Sequence, residues 1–460
     1  MESLLLEIGT EELPAGYIVI EETISDTSVL LETILPESIL AIPFPKTMKW
    51  ADLKINFARP IISISALFGE KVVPFTLGDL KSDNFIFGHR FMSPEKIKIK
   101  NAKQYVDALK NAKVYADINE RREIIKTQIQ ETAKSVDGSI LLDESLLDIV
   151  VNLVEYPVTV VGKFDNEFLE LPEEILITAM REHQKYFAVI DKSGKLMPYF
   201  IAVNNSLAKD MAIVTAGHEK VIRARLADAK FFYKVDLEET LEKMVKRLDK
   251  VLFQAKLGSV HEKTVRIGKL CEYLLLVTKN KQAEDKNNKQ ILRAAHLCKA
   301  DLVSQVVIEF TKLQGVMGQI YAEKSGETNI TSKAIKEHYL PTYSGGALPE
   351  TFAGSIIAIA DKIDSICGCF SIGLIPTGAS DPYALRRQGI GIIQIINNME
   401  FTFPLKELIE QGIINYNITS NKIKSNKEVL KIADKVYEFI KNRAEHLLAE
   451  DGYSKDIISA

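Results

Sequence analysis

Two groups of residues in this 460-residue chain have types and spacing suited to chemistry. The first is His261, His296, Asp301 and Asp361, which fall on successive stretches of helical pattern, the wide spacing with which helical bundles gather a divalent metal. The residue before Asp301 is Ala300, so the adjacent His-Asp pair of such sites is broken. A site of about four ligands that lacks one binds weakly, and no neighbouring base is left to activate water. A metal-dependent phosphohydrolase is therefore the alternative reading, set against structural roles for the four side chains. Other catalytic signatures are missing: there is no GxxxxGK[ST] loop, no GxGxxG after a strand, no GxSxG and no HExxH. His218 and His261 each precede a glutamate but lack a second histidine four residues on, and no catalytic residue is assigned.

The second group is cationic. Arg386 and Arg387 follow Asp381-Pro382, and a rigid guanidinium fork suits phosphate, although a salt bridge to Asp361 or Asp364 is the competing use. Arg223 and Arg225 share a face if their segment is extended, and are otherwise part of a solvated surface. His183 to Phe187 combines Lys185 and Tyr186, a cation and an aromatic suited to a single-stranded nucleic-acid end, with burial of Tyr186 and Phe187 as the alternative. His89 and Arg90 carry the same ambiguity. Glu11 and Glu12 suit a turn or a subunit contact better than acid–base work, because neighbouring carboxylates alone are weak evidence.

These residues need elements to hold them. Val/Ile/Phe-rich runs at Ile61 to Leu67, Val72 to Leu77, Val158 to Val161 and Phe200 to Val203 predict strands, and Asp117 with Glu120 predicts a capping box that opens a helix running to about Val136. After about Glu238 apolar residues recur at three and four, predicting helices at 259–278, 288–313, 330–339, 352–370, 381–399 and 427–450. Asp381 as cap and Pro382 at the first helical position place Arg386 and Arg387 one turn in. The helix 352–370 carries an apolar stripe suited to a core or to a partner. Lys279 to Lys289 reads as a solvated loop. The expected architecture is multidomain α+β: a mixed α/β region over 1–240 and an all-helical domain over 241–460.

Composition narrows the class. Charged residues make up 26% and apolar ones 46%, as in globular proteins, and no apolar run approaches the ~18 residues of a membrane span. The acidic start, with Glu2, Glu7, Glu11 and Glu12, is unlike a secretory leader, and a cytoplasmic location is expected. The four cysteines form no CxxC pair and are expected to be small buried residues. The net charge of −4 conceals polarity: Gly138 to Glu174 has nine acidic residues against Lys163, whereas Leu241 to Leu270 has eight basic against three acidic. A polarised chain can offer phosphates a basic face whatever its total.

Several strings are more specific than any of this. They are Glu7-Ile-Gly-Thr-Glu-Glu-Leu-Pro14, Lys46-Thr-Met-Lys-Trp50, Phe57-Ala-Arg-Pro60, Gly88-His-Arg-Phe-Met92, His183-Gln-Lys-Tyr-Phe187, Arg225-Leu-Ala-Asp-Ala229, Leu252-Phe-Gln254, FTKLQGVMG from Phe310 to Gly318, Ala360-Asp-Lys-Ile-Asp364 and Asp381-Pro-Tyr-Ala-Leu-Arg-Arg387. In this order they resemble the β subunit of the bacterial heterotetrameric glycyl-tRNA synthetase. The resemblance implies a first half that looks like the B3/B4 module of the phenylalanyl enzyme and a second half similar to an HD-type fold with degenerate metal positions, His261, His296, Asp301 and Asp361. It implies a tRNA-binding subunit with no cofactor of its own. The partners are an α subunit that holds glycine, ATP and magnesium, and tRNA(Gly), in an α2β2 assembly without a membrane. The readings of other classes are an HD-type nucleotide phosphohydrolase and a free-standing RNA-binding module. The sequence departs from the family pattern in two places. Ala15 to Leu40 stands where the family has on the order of a hundred further residues, and the match stops near Gly452 and Tyr453, before an anticodon-binding region. A shortened β subunit is expected, one that does not itself read the anticodon.

Overall fold

A computed structural model of the chain describes residues 4–10, 27–278, 287–378, 380–420 and 425–459. Glu11, Glu12 and most of the Lys279 to Lys289 stretch lie outside them. The chain divides into two compact units, Met1–Leu226 and Ala227–Ala460, and the division falls within one helix, Met211–Leu237. The architecture is multidomain α+β. Among the described residues no helix is long and apolar enough to cross a membrane.

The first unit is built on small antiparallel sheets. Leu4–Thr10 pairs with Ile61–Phe68, which continues through a tight hairpin into Lys71–Val72. Ile61, Ile64 and Ala66 of the middle strand pack with Leu35 and Ile39 of the helix Thr27–Ala41 and with Phe57. A four-stranded sheet follows, in the order Ser139–Ile140, Phe187–Ile190, Leu196–Asn204, Val158–Lys163. Helices Ile118–Lys134 and Glu144–Val151 cover it: Ile125, Ile129, Ala133, Leu146 and Val150, spaced at four within each helix, meet Phe187, Val189 and Ile201. Asp117 caps the first of these helices by accepting the amides of Asn119 and Glu120. The capping box stays half-made, because the Glu120 carboxylate turns to Lys110. The predicted strand Val72 to Leu77 is split into Lys71–Val72 and Thr76–Leu77.

Among its described residues the second unit is helical apart from a short strand pair, Leu252–Gln254 and Gly258–Ser259. Its axis is the helix Phe352–Ser371, buried from Ala353 to Phe370 except at Asp361, with Val260–Val277, Asn329–Glu337, Leu385–Asn398 and Leu405–Ser420 around it. Helices of its own chain thus cover the apolar stripe foreseen at 352–370. The single helix expected over 288–313 is broken: Asn288–Leu297 ends before a tight turn at Ala300–Val303, and Gln305–Glu309 starts anew. The break has a polar cause. Ser304 caps the new helix through the Val307 amide, and the Asp236 carboxylate accepts the amides of Gln305 and Val306 at 2.7 and 3.0 Å. All four cysteines are buried free thiols.

Candidate nucleic-acid interface

Arg386 and Arg387 open the helix Leu385–Asn398, which starts four residues later than Asp381 suggests. Ala384 takes the left-handed conformation, φ +51°, so the chain reverses before the helix begins. Asp381 still acts as the cap, Oδ1 accepting the Leu385 amide at 2.8 Å and Oδ2 the Arg386 amide at 3.0 Å. Arg386 is half-buried and Arg387 exposed. The salt-bridge alternative is not realised: Asp361 is taken by Lys263 and Lys299, and Asp364 by Arg266 and Lys263. The neighbour of Arg386 is instead a third arginine, Arg443. Its guanidinium lies over the Phe439 ring at 3.9 Å and donates to the Phe439 carbonyl at 2.9 Å. Burial and then the charge of Arg386 lower the Arg443 guanidinium from its ordinary range, with Asp381 opposing. Sequence reasoning missed Arg443 because only tertiary packing brings the helix Asn426–Glu450 beside Leu385–Asn398.

Arg223 and Arg225 lie on the helix Met211–Leu237, not on an extended segment. Two residues on a helix differ by ~200° around the axis, so the pair does not share a face. Helicity follows from burial at Ile222, Leu226, Ala229 and Tyr233, a spacing of four, three and four. Arg223 Nε donates to Asp165 Oδ2 at 3.0 Å, with both side chains about half exposed. Such an exposed pair holds little energy.

The His183 to Phe187 string divides. A π turn over Ala179–Gln184 ends at Lys185, whose left-handed φ of +57° lets its ammonium return to the Glu182 carbonyl at 2.8 Å. Tyr186 does not face outward. It is 4% exposed, and its ring stacks on Phe200 at 4.5 Å and 16°. Gly162 makes room beneath, since a Cβ there would sit 2.3 Å from the Phe200 ring. The Tyr186 hydroxyl meets His218 Nδ1 at 2.7 Å and His218 Nε2 meets Asn204 Oδ1 at 2.8 Å, so Nε2–H donates to Asn204 and Nδ1 accepts from Tyr186. Burial raises the phenol to about 12 and lowers the imidazole, which keeps both neutral. The placement of Tyr186 as a base-stacking residue is corrected: its ring is buried against Phe200 and its hydroxyl is held by His218. Arg90 is exposed at the tip of the ribbon formed by Phe85–Phe87 and Lys96–Lys98, while His89 beside it is buried.

The four metal-type positions do not converge. His261 Nδ1 pairs with Asp249 at 2.9 Å and His296 Nε2 with Glu242 at 2.9 Å. Asp301 is fully buried and accepts the amides of Gly315 and Gly318 at 2.6 and 3.1 Å; burial outweighs these bonds and raises its pKa to about 6. Asp361 lies between two ammonium groups, Lys263 at 2.8 Å and Lys299 at 2.7 Å. Its burial penalty is exceeded by those charges, which hold it well below the usual carboxylate range. Among the described residues no three His, Cys, Asp or Glu side chains are grouped to hold a metal ion. Two lysines occupy the carboxylate that a cation would need.

An α+β chain whose metal-type positions are scattered and whose Asp361 is saturated by lysines does not fit a metal hydrolase. Residues 16–460 match the family described as glycyl-tRNA synthetase beta subunit, and the chain belongs to that family. It is 54% identical over 442 residues to the glycine–tRNA ligase beta subunit of Desulforapulum autotrophicum and 51% over 441 residues to that of Desulfatibacillum aliphaticivorans, each alignment covering 96% of this chain. It is 43% identical over 458 residues to the corresponding protein of Trichlorobacter lovleyi. The chain spans 63% of the length of the first two relatives and 65% of the third.

Proposed function

We propose that this chain is the tRNA-holding component of a glycine–tRNA ligase, acting with an α subunit that binds glycine, ATP and magnesium in an α2β2 assembly in the cytoplasm. Family membership over residues 16–460 carries this reading. The four-stranded antiparallel sheet with its helical cover corresponds to a B3/B4-like module. The helical unit corresponds to an HD-like fold whose former ligand positions have taken structural roles, with the boundary between the two regions lying inside Met211–Leu237. A phosphohydrolase finds no support, since Asp361 already has two lysine partners.

In this role Arg386, Arg387 and Arg443 form a cationic cluster toward which a phosphate backbone is drawn. Arg223 and Lys185 add contacts at other points of the chain, and Arg225 and Arg90 are exposed for the same purpose. The division of labour is tested by glycine-dependent pyrophosphate exchange. The isolated chain is expected to show none, whereas robust exchange by the chain alone would overturn the assignment of activation to the α subunit.

A further inference from the structure

The ribbon Phe85–Phe87/Lys96–Lys98 has two unlike faces. Inward, Ile86 and Ile99 are buried with Leu67 and Leu109, and Ile97 packs against them. Outward, the register sets Phe85 opposite Lys98 and Phe87 opposite Lys96, and Lys100 continues the alternation, exposed. The three lysines therefore stand along one edge at intervals of ~6.6 Å. The Lys96 ammonium lies 5.9 and 5.8 Å from the Phe85 and Phe87 ring centroids. Over Gly88 to Lys103 there are five basic residues against one acidic, Glu95.

The tip is built to be rigid. Gly88 packs so closely that a Cβ would meet that of Ala112 at 2.6 Å. His89 is 1% exposed; its Nδ1 accepts the amides of Phe91 and Met92 at 3.3 and 3.2 Å, which leaves Nε2–H to donate to the Asn205 carbonyl at 2.5 Å. The Ser93 amide closes the turn on the His89 carbonyl at 2.8 Å. Held this way, Phe91 is 81% exposed beside exposed Arg90. The His89 ring is its aromatic neighbour, at 6.3 Å, and the rest of this large ring is presented to water on a fixed turn, among cations.

We propose that this outer face and tip bind a single-stranded RNA end, with a base stacked on Phe91 and phosphates on Arg90, Lys96 and Lys98. The inference rests on the RNA-binding reading above. Charge decides the occupant: aromatics alternating with cations suit unstacked bases on a phosphate track, a duplex has no free base face to offer, and a protein surface would favour fewer charges at the centre of the patch.

The test is binding of the full chain to two RNA hairpins of the same stem, one blunt and one with a four-nucleotide single-stranded 3′ tail. The tail is expected to tighten binding about tenfold or more. Phe91→Ala should erase that gain without altering the blunt hairpin, Phe91→Tyr should retain it, and Lys96→Ala with Lys98→Ala should flatten the salt dependence of the tailed RNA. A tail gain that survives Phe91→Ala overturns the proposal and leaves the RNA reading standing. So does a Phe91→Ala chain that keeps its RNA affinities but loses its partner subunit, which would make the face a protein contact. Wild-type chain that binds neither hairpin overturns the RNA reading itself.

Discussion

Asp361 and Asp364 lie on one buried helix and are held by Lys263, Lys299 and Arg266. Removing Asp361 leaves the buried Lys299 without its carboxylate, while Lys263 keeps only the Asp364 carboxylate. Asp361→Ala is expected to destabilise the chain by about 3–5 kcal/mol in urea unfolding, and Lys263→Met with Lys299→Met in the same chain should recover much of the loss. Lys362, one residue on, donates to the Leu340 carbonyl at 2.6 Å, and burial lowers its pKa to about 7. The folded state thus favours the neutral amine. Between pH 10.5 and about 7 the unfolded chain binds the extra proton, so this group's contribution to stability falls as pH falls and levels off below about 7. Lys362→Met should remove that slope from the pH dependence of the urea midpoint, and an unchanged slope would contradict the assignment. Tyr186→Phe should cost about 1–2 kcal/mol by leaving His218 Nδ1 without its donor, while tRNA affinity stays constant. These side chains show what a linear sequence hides. Lys263 and Arg266 counted toward the basic excess of Leu241 to Leu270, yet they are 5% and 0% exposed. Tyr186 had the composition of a binding residue and the burial of a core one.

Among elements, legibility followed how local the determining signal was. The strand Val158–Lys163 and the helices Val260–Val277 and Asn426–Glu450 lie close to their expected spans, because periodicity and flanking turn residues fix them. The break after Leu297 depends on Asp236, over sixty residues away, and could not be read locally. The same holds for the delayed start of Leu385–Asn398, where Ala384 is left-handed although nothing in its type asks for it. Since Asp381 bonds both amides of that first turn, Asp381→Ala should cost about 1 kcal/mol and speed hydrogen exchange at Leu385 and Arg386. Slow exchange there in the variant would show that packing alone sets the helix start. Arg223 and Arg225 were placed on one face by an assumption of extended chain, and the four–three burial rhythm of Met211–Leu237 overrules it.

At the scale of the molecule the family was legible from strings of residues, and the arginine cluster only in part. Arg386 and Arg387 were visible in the sequence; the third member, Arg443, is brought in by helix packing. Arg386→Ala with Arg387→Ala is expected to weaken tRNA binding and to flatten its log–log salt dependence by about one for each phosphate that is no longer neutralised. The central claim is that this chain holds tRNA for a partner that activates glycine. It is tested most directly by measuring glycylation of tRNA by the α subunit with and without this chain at fixed α concentration. Charging is expected to rise with added chain until the subunits are matched. Charging by α that is unchanged by the chain, under conditions where the two co-purify, would contradict it.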